Sequence, residues 1–299
     1  MKRALITGAS SYLGNKLAAR LASSGIDVHA LVRPQADPAR LPACIAADRR
    51  HPHDGSTESM IAVVAKAAPD ATFHLAGLYI REPKPADVVP LITSNYTIGI
   101  QLLEALCRRG PEAKVISAGT YSQYFMSDRP RPLDLYSAAK QAFHDALALY
   151  ADRNGFRTVT LVLFDSFGAD DPRAKLLKAI VDAALNGTEL PLPDEDITVD
   201  LIHIDDVTAA FVRAADLLEN DPTAVAAGTF AVGYGRRYRL SEVVALFERV
   251  TGLPVATRPG GYELPRRRII VPWDGPRLPG WQPAVTLEDG FRQYLAARR

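Results

Sequence analysis

Two cysteines, Cys44 and Cys107, are all that 299 residues contain. So few exclude a disulfide framework and a thiolate metal cage. Neither sign of charge is in excess: 35 Lys and Arg face 34 Asp and Glu, a formal net charge of +1. No nucleic-acid partner is expected from such a balance. No apolar run approaches the ~18 residues of a bilayer span, so no membrane partner is expected either. The first ten residues lack the apolar core of a secretory signal and read as a strand. Internal repeats and low-complexity tracts are missing. The six histidines include His51 and His53 in a loop, but no second cluster completes a ligand set, and no metal is expected. Free thiols without an export segment imply a cytoplasmic location. What is present is ordinary globular material, 47% apolar and 23% charged, enough for one large domain or two.

Strand-like and helix-like segments alternate through the first half. Residues 4–7, 28–32, 71–75, 114–117 and 158–164 read as apolar strands. Residues 13–23, 61–68, 95–109 and 137–152 read as helices, the third stopped by Gly110-Pro111. Near-continuous apolar strands separated by helices imply a parallel sheet covered on both faces, an α/β doubly wound architecture. The pattern loosens after Phe164. Segments 206–218 and 240–250 are helical, and the Pro-rich stretch 262–283 is irregular. The expected division is a dinucleotide-binding domain over 1–168 and a smaller α/β substrate lobe over 169–299, the chain crossing back to the sheet around 200–231. The ligand crevice of such a sheet lies at the carboxyl ends of its strands.

Two motifs carry chemistry. Thr7-Gly8-Ala9-Ser10-Ser11-Tyr12-Leu13-Gly14 follows the first strand and opens a helix. Gly8 permits the tight turn, Gly14 lets helix and strand approach, and the helix N-terminus offers N–H groups to a pyrophosphate. A plain helix cap is the alternative. Tyr136-Ser137-Ala138-Ala139-Lys140 places a phenol and an ammonium one helical turn apart. Such a Lys favours the phenolate, which brings the Tyr toward proton exchange near neutral pH. An ordinary helix carrying Tyr and Lys has the same spacing.

Together these motifs resemble the extended short-chain dehydrogenase/reductase superfamily, the NAD-dependent epimerase/dehydratase branch that acts largely on nucleotide sugars. The resemblance runs along nearly the whole chain, through Phe73-His74-Leu75-Ala76-Gly77, Asn95-Tyr96-Thr97-Ile98-Gly99, 200–207 and Gly280-Trp281-Gln282-Pro283. It implies a Rossmann fold. It also implies a catalytic set of Thr120, Tyr136 and Lys140, with Ser117 the runner-up for the hydroxyl. The implied cofactor contacts are Gly8, Ser10, Ser11, Tyr12, Leu13, Gly14, Leu75, Ala76, Gly77, Asn95, Lys140 and Phe164, with Asp48 at the adenine amino group. Ser11 replaces the family's usual third glycine. A hydroxymethyl there crowds a pyrophosphate but can donate to it.

A narrower likeness is to CDP-abequose and CDP-paratose synthases, carried by Gly119 to Tyr124, Leu135 to Phe143 and Leu163 to Gly168. It implies reduction of the C4 ketone of a CDP- or dTDP-linked deoxysugar. Thr120 is followed by Tyr121 and Ser122, not by the acid–base pair of the family's dehydratases, so elimination is not expected. The second strand ends in Val32-Arg33-Pro34 without a carboxylate. Arg33 suits a 2′-phosphate, so NADPH is expected over NADH. A solvated surface Arg reads identically. For the substrate, Tyr121, Gln123 and Asp165 are expected at the sugar, and Arg173 or Lys175 with one of Arg266, Arg267 and Arg268, Arg266 first, at the diphosphate. Val199 stands where many relatives place an anchoring Arg. The competing readings are an epimerase with tightly held NAD, a reductase of a free ketone or aldehyde, and a dinucleotide sensor without turnover. Apolar residues on more than one face of 95–109 and 137–152 suggest a homodimer paired through those helices.

Overall fold

Apolar strands and amphipathic helices alternate as β1 (Arg3–Thr7), α1 (Tyr12–Ser23), β2 (Asp27–Val32), β3 (Arg50–Pro52), α2 (Thr57–Ala67), β4 (Ala71–His74), α3 (Val88–Ile92), α4 (Ile98–Arg109), β5 (Lys114–Thr120), α5 (Leu135–Asn154) and β6 (Arg157–Leu163). The chain continues through β7 (Asp165–Phe167), α6 (Leu176–Asn186), β8 (Leu190–Pro191), β9 (Thr198–His203), α7 (Ile204–Asn220), β10 (Thr229–Val232), β11 (Arg237–Arg239), α8 (Leu240–Thr251), β12 (Thr257–Arg258) and α9 (Leu287–Ala296). This computed structural model describes residues 1–297 except Pro111, Ala174 and Ala227; the proline of the expected helix stop is thus outside the described residues.

Seven strands form one sheet in the order β10-β6-β5-β4-β1-β2-β3, parallel at every pair. This is the expected α/β Rossmann-type sheet. Strand order reverses between β1 and β4, which opens a crevice above their carboxyl ends. Pleating sends Ile6 to one face and Leu5 to the other. Ile6, Phe73 and Ile116 pack with Leu17 and Leu21 of α1 and Phe211 of α7. Leu5 and Val115 pack with Met60 of α2, Leu102 of α4 and Phe143 of α5. Burial on both faces is why the strands lack polar alternation.

After Phe164 a second layer forms. Strands β11, β9 and β7 make a small sheet, and β12 pairs with β8. Helices α6, α8 and α9 surround a core that includes Phe167, Leu177, Phe247 and Phe291. Between β9 and β11 the chain crosses back to the large sheet: α7 covers its first face and β10 pairs with β6.

Three sequence expectations need correction. The helix expected over 95–109 begins earlier, at Val88. Pro90 lies in the first turn of α3, where its missing N–H costs nothing, and a widened π turn over Thr93–Thr97 leads into α4. The strand expected over 114–117 runs on to Thr120, because Ala118 and Gly119 keep pairing with β6. His51 and His53 are not in an open loop: His51 lies on β3, both are buried, and His51 Nε2 is 2.8 Å from His29 Nδ1.

Phe211 is fully buried on α7, 6.4 Å from the Phe73 ring and remote from the crevice side chains described below. Phe211→Ala should lower unfolding free energy by about 3–5 kcal/mol in denaturant titration, the usual cost of such a cavity.

Candidate active site

The β1–α1 turn is shaped by two close approaches. Gly8 has φ +76°, and a Cβ on it would stand 2.8 Å from Ala76 N. A Cβ on Gly14 would stand 2.2 Å from Gly8 O. Ser11 caps α1: its Oγ accepts from Gly14 N at 3.0 Å. The hydroxyl is thus committed to an internal cap, and the departure from glycine is accommodated without displacing the helix. The amides of Tyr12 and Leu13 lie in the first turn, where no intrahelical acceptor exists, at the positive end of the dipole. Ser10 is half-buried on the same turn. A turn bounded by Gly8 and Gly14, with first-turn amides that have no intrahelical acceptor, fits a dinucleotide pyrophosphate. Tyr12 OH donates to Asp170 Oδ1 at 3.0 Å, and burial, then the Asp170 charge, push this phenol far up.

Arg33 is exposed directly after β2; its carbonyl accepts from Ala36 N at 2.9 Å, and its guanidinium has no ion-pair or hydrogen-bond partner among the described residues. Asp48 is exposed in the short turn Ala47–Arg49. Leu75 and Phe164 are buried just beyond β4 and β6. Ala76 N donates to Thr7 Oγ1 at 3.1 Å. Asn95, in the π turn, is fully buried and holds the loop after β4: its Nδ2 donates to Leu78 O at 2.8 Å and to Leu91 O at 2.9 Å.

Thr120 ends β5. Its Oγ1 accepts from Ser122 N at 3.3 Å. Asp134 caps α5 by accepting from Ser137 N at 2.8 Å, which starts the helix one residue before Tyr136. Lys140 is 2% exposed and donates to Ala76 O at 3.1 Å, beside Gly77. Burial pulls its ammonium down to about 8. Burial, then Asp134 and Tyr79, push the Tyr136 phenol above its ordinary value. The expected lowering of Tyr136 by Lys140 is therefore not what this arrangement gives. The ammonium is spent on a backbone carbonyl, desolvation dominates, and Tyr136 is a protonated donor at neutral pH.

A cleft of about 700 Å³ opens beside this set, between the large sheet and the second layer. Tyr121 and Asp165 line it; Tyr121 stacks on Phe164 at 5.2 Å and donates to Asp165 Oδ2 at 3.0 Å. Lys175 lines it too, 3.8 Å from Asp165 Oδ1 and donating to Ser166 O at 3.3 Å. Three sequence-expected substrate residues are placed elsewhere. Gln123 is fully buried and bonded to Thr120 N, Gln141 and His144. Arg173 is clamped onto Asp171 at 2.6 and 2.7 Å with its guanidinium over the Tyr12 ring, at the β1–α1 turn and off the cleft lining. Of the three consecutive candidates, Arg266 is exposed outside that lining, whereas Arg267 and Arg268 are on it.

The sequence reading missed Tyr79, Arg81 and Tyr262. Tyr79 sets its edge against Tyr136, ring centres 5.2 Å apart. Arg81 reaches across the cleft mouth to the Tyr262 hydroxyl and lies over its ring. Tyr79 and Arg81 follow the Phe73–Gly77 segment on a loop at a strand's carboxyl end, a position that by itself marks ligand contacts. Tyr262 lies in an irregular stretch that gives no such signal. Among the described residues no group of three or more His, Cys, Asp and Glu is placed to hold a metal, and no helix is long and apolar enough to cross a membrane.

Lys140 gives a pH-dependent prediction. Its folded pKa is depressed, so the folded state binds fewer protons than the unfolded chain between about 8 and 10.5. Wild-type stability relative to Lys140→Met should rise as pH climbs through that window, by at most about 3 kcal/mol. Chemical denaturation of both proteins from pH 7 to 10.5 measures the difference, and a constant offset contradicts it.

Comparison with known proteins agrees with this geometry. The sequence pattern of the NAD dependent epimerase/dehydratase family matches residues 4–233. A UDP-glucose 4-epimerase of Azospirillum brasilense is 27% identical over 280 residues, covering 84% of this chain and 78% of that protein. A CDP-abequose synthase of Yersinia pseudotuberculosis is 27% identical over 158 residues, covering 52% of this chain and 54% of that protein. Among solved structures, a UDP-glucose-4-epimerase from Stenotrophomonas maltophila with bound NAD and formylated UDP-arabinopyranose shares the fold. Its TM-score is 0.84 at 20% identity, over 100% of this chain and 98% of that one.

Proposed function

Because the chain belongs to the NAD-dependent epimerase/dehydratase family, we propose that it reduces the C4 ketone of a CDP- or dTDP-linked keto-deoxysugar with NADPH. The observation that carries the cofactor choice is the Arg33 guanidinium, exposed and without a partner among the described residues, just past the carboxyl end of β2, where no carboxylate stands. A free guanidinium there suits a 2′-phosphate, which it can grip through two oxygens. When bound, the dinucleotide supplies the hydride. On this reading the Gly8–Gly14 turn holds the pyrophosphate with the Tyr12 and Leu13 amides, and Asp48 meets the adenine. Leu75, Ala76, Gly77, Asn95 and Phe164 wall the site, and Lys140 positions the ribose. Tyr136, kept protonated by burial, donates its proton to the carbonyl oxygen, and Thr120 donates a hydrogen bond to the same atom. Tyr121 and Asp165 face the sugar. Lys175 with Arg267 and Arg268 faces the diphosphate, in place of Arg173 and Arg266.

A second reading, an epimerase that retains NAD, is favoured by the likeness to UDP-glucose 4-epimerase over 280 residues. Denatured, freshly purified protein separates the two: a retained NAD released at near one per chain supports the epimerase. For the reductase, screening CDP- and dTDP-4-keto-deoxysugars should show loss of NADPH absorbance. Arg33→Ala should then raise the NADPH Michaelis constant roughly ten- to a hundredfold, the worth of one charge-assisted contact, with NADH nearly unchanged. Equal losses for both cofactors contradict the assignment of Arg33.

The reading includes a homodimer through α4 and α5. Four of the apolar residues on these helices, Leu103, Leu106, Phe143 and Leu147, are consumed by the chain's own core. Leu149 stays 51% exposed and Val89 of the preceding α3 72%, and these carry the outward apolar face. Sedimentation at micromolar concentration should give a species near twice 32.5 kDa, and Leu149→Glu should halve it. A wild-type monomer would remove the dimer from the proposal.

A further inference from the structure

Gln123 follows Thr120 by three positions, yet it turns away from the cleft and is fully buried. Its Oε1 accepts from the Thr120 backbone N–H at 2.9 Å. Its Nε2 donates to Gln141 Oε1 at 2.7 Å and lies 2.9 Å from His144 Nδ1. Gln141 and His144 are both on α5. His144 is two turns beyond Tyr136 and one beyond Lys140, on the same helix face. The Gln123 side chain therefore bridges the strand end that carries Thr120 to the helix that carries Tyr136 and Lys140. Gly119 leaves room for the bridge: a Cβ there would stand 2.9 Å from His144 Cε1 and 3.1 Å from Gln123 Oε1.

The bridge fixes the state of His144. Because Gln123 Nε2 can only donate, Nδ1 is the acceptor, and the imidazole is neutral with its proton on Nε2. Burial, then the Lys140 charge, hold its pKa down to about 3. The Nε2 atom is buried and has no partner among the described residues. A buried unpaired donor calls for a reason, and anchoring Gln123 is one.

We infer that Gln123, anchored on neutral His144, is a positioning residue that fixes Thr120 relative to Tyr136 so that one carbonyl oxygen meets both hydroxyls. The inference rests on the reading of Thr120 and Tyr136 as the reactive pair. A displacement of about 1 Å at such a pair can cost a hundredfold in rate, so the bridge has kinetic weight without touching substrate.

The test compares Gln123→Leu, Gln123→Glu and Tyr136→Phe by NADPH oxidation with the CDP- and dTDP-4-keto-deoxysugar panel, alongside ¹⁵N spectra of the His144 ring. Gln123→Leu should lose at least ~10-fold in kcat, with KM for cofactor and sugar within about twofold. Gln123→Glu should come close to wild type at low pH, where the new carboxyl and His144 share one proton and the contacts to Thr120 N and His144 survive, that to Gln141 being lost. Its kcat should fall as pH rises and that proton leaves, over a range where wild type is flat. The charged and titratable groups around the bridge are Lys140 and Asp145 on α5 and His74 on β4. The spectra, which need no substrate, should show wild-type His144 neutral and protonated on Nε2 at pH 6. A Gln123→Leu protein with wild-type kcat while Tyr136→Phe is inactive overturns the inference and leaves the reactive pair standing. A fully active Tyr136→Phe overturns the pair and the inference with it. If Gln123→Leu fails to fold, a flat pH profile for Gln123→Glu, or a charged wild-type His144 ring at pH 6, overturns it instead.

Discussion

The hydrogen bond from Lys140 Nζ to Ala76 O is the contact on which the site's geometry depends. It joins the middle of α5 to the loop leaving β4, and it gives a partner to an ammonium whose hold on its proton burial weakens. Around it the chain has little freedom. Gly77 has no side chain because one would meet Asn95 and Lys140, and Asn95 uses its amide to hold Leu78 in place. On the opposite side of the same loop, Ala76 N donates to Thr7 and crowds against Gly8. The β1–α1 turn and the helix that carries Tyr136 are thus registered against one short loop. A shift of that loop moves both together, which preserves their mutual geometry better than two independent anchors would.

What could be read from the amino acids follows from what the amino acids express locally. Gly8 and Gly14 announce their turn because no other residue fits it, and the structure gives the clashes that explain this. The strand cores are legible as apolar runs because both faces of the sheet are covered. Tyr136 and Lys140 are legible because helical spacing is a property of neighbours. The length of β5 was not, since Ala118 and Gly119 have no strong strand preference and are held by pairing with β6. Val88 to Asn95 was not, since Pro90 reads as a breaker until its first-turn position is known.

The site residues fail or succeed by the same rule. Gln123 has a polar side chain beside Thr120, and a sequence offers no way to see that His144, 21 residues on, receives it. Arg173 looks available until Asp171, two residues earlier, is seen to take both arms of the guanidinium. The Tyr136 shift inverted for a related reason. Spacing locates Lys140 one turn away, but it cannot say that the ammonium turns to a carbonyl and that desolvation decides the phenol's proton. Each miss is a competition between partners, and competition is settled only in three dimensions.

That competition also shapes how the cleft meets a charged ligand. Its cations are already engaged: Lys175 with Asp165, Arg268 with Glu195, Arg81 with the Tyr262 hydroxyl. An anion entering there exchanges partners and does not meet bare charge, so its net gain is the difference between two pairings. A single phosphate replacing one carboxylate gains little by such an exchange. On the proposed reading a diphosphate, with two linked charges, would compete at Lys175 and Arg268 together while its attached sugar would add contacts with Tyr121 and Asp165. The internal pairs therefore discriminate by valence as well as by sign: they weaken small anions more than they weaken a ligand that reaches several cations at once. On the same reading, releasing Asp165 from Lys175 would also leave that partly exposed carboxylate to accept from a sugar hydroxyl, so the displaced partner would join the recognition surface.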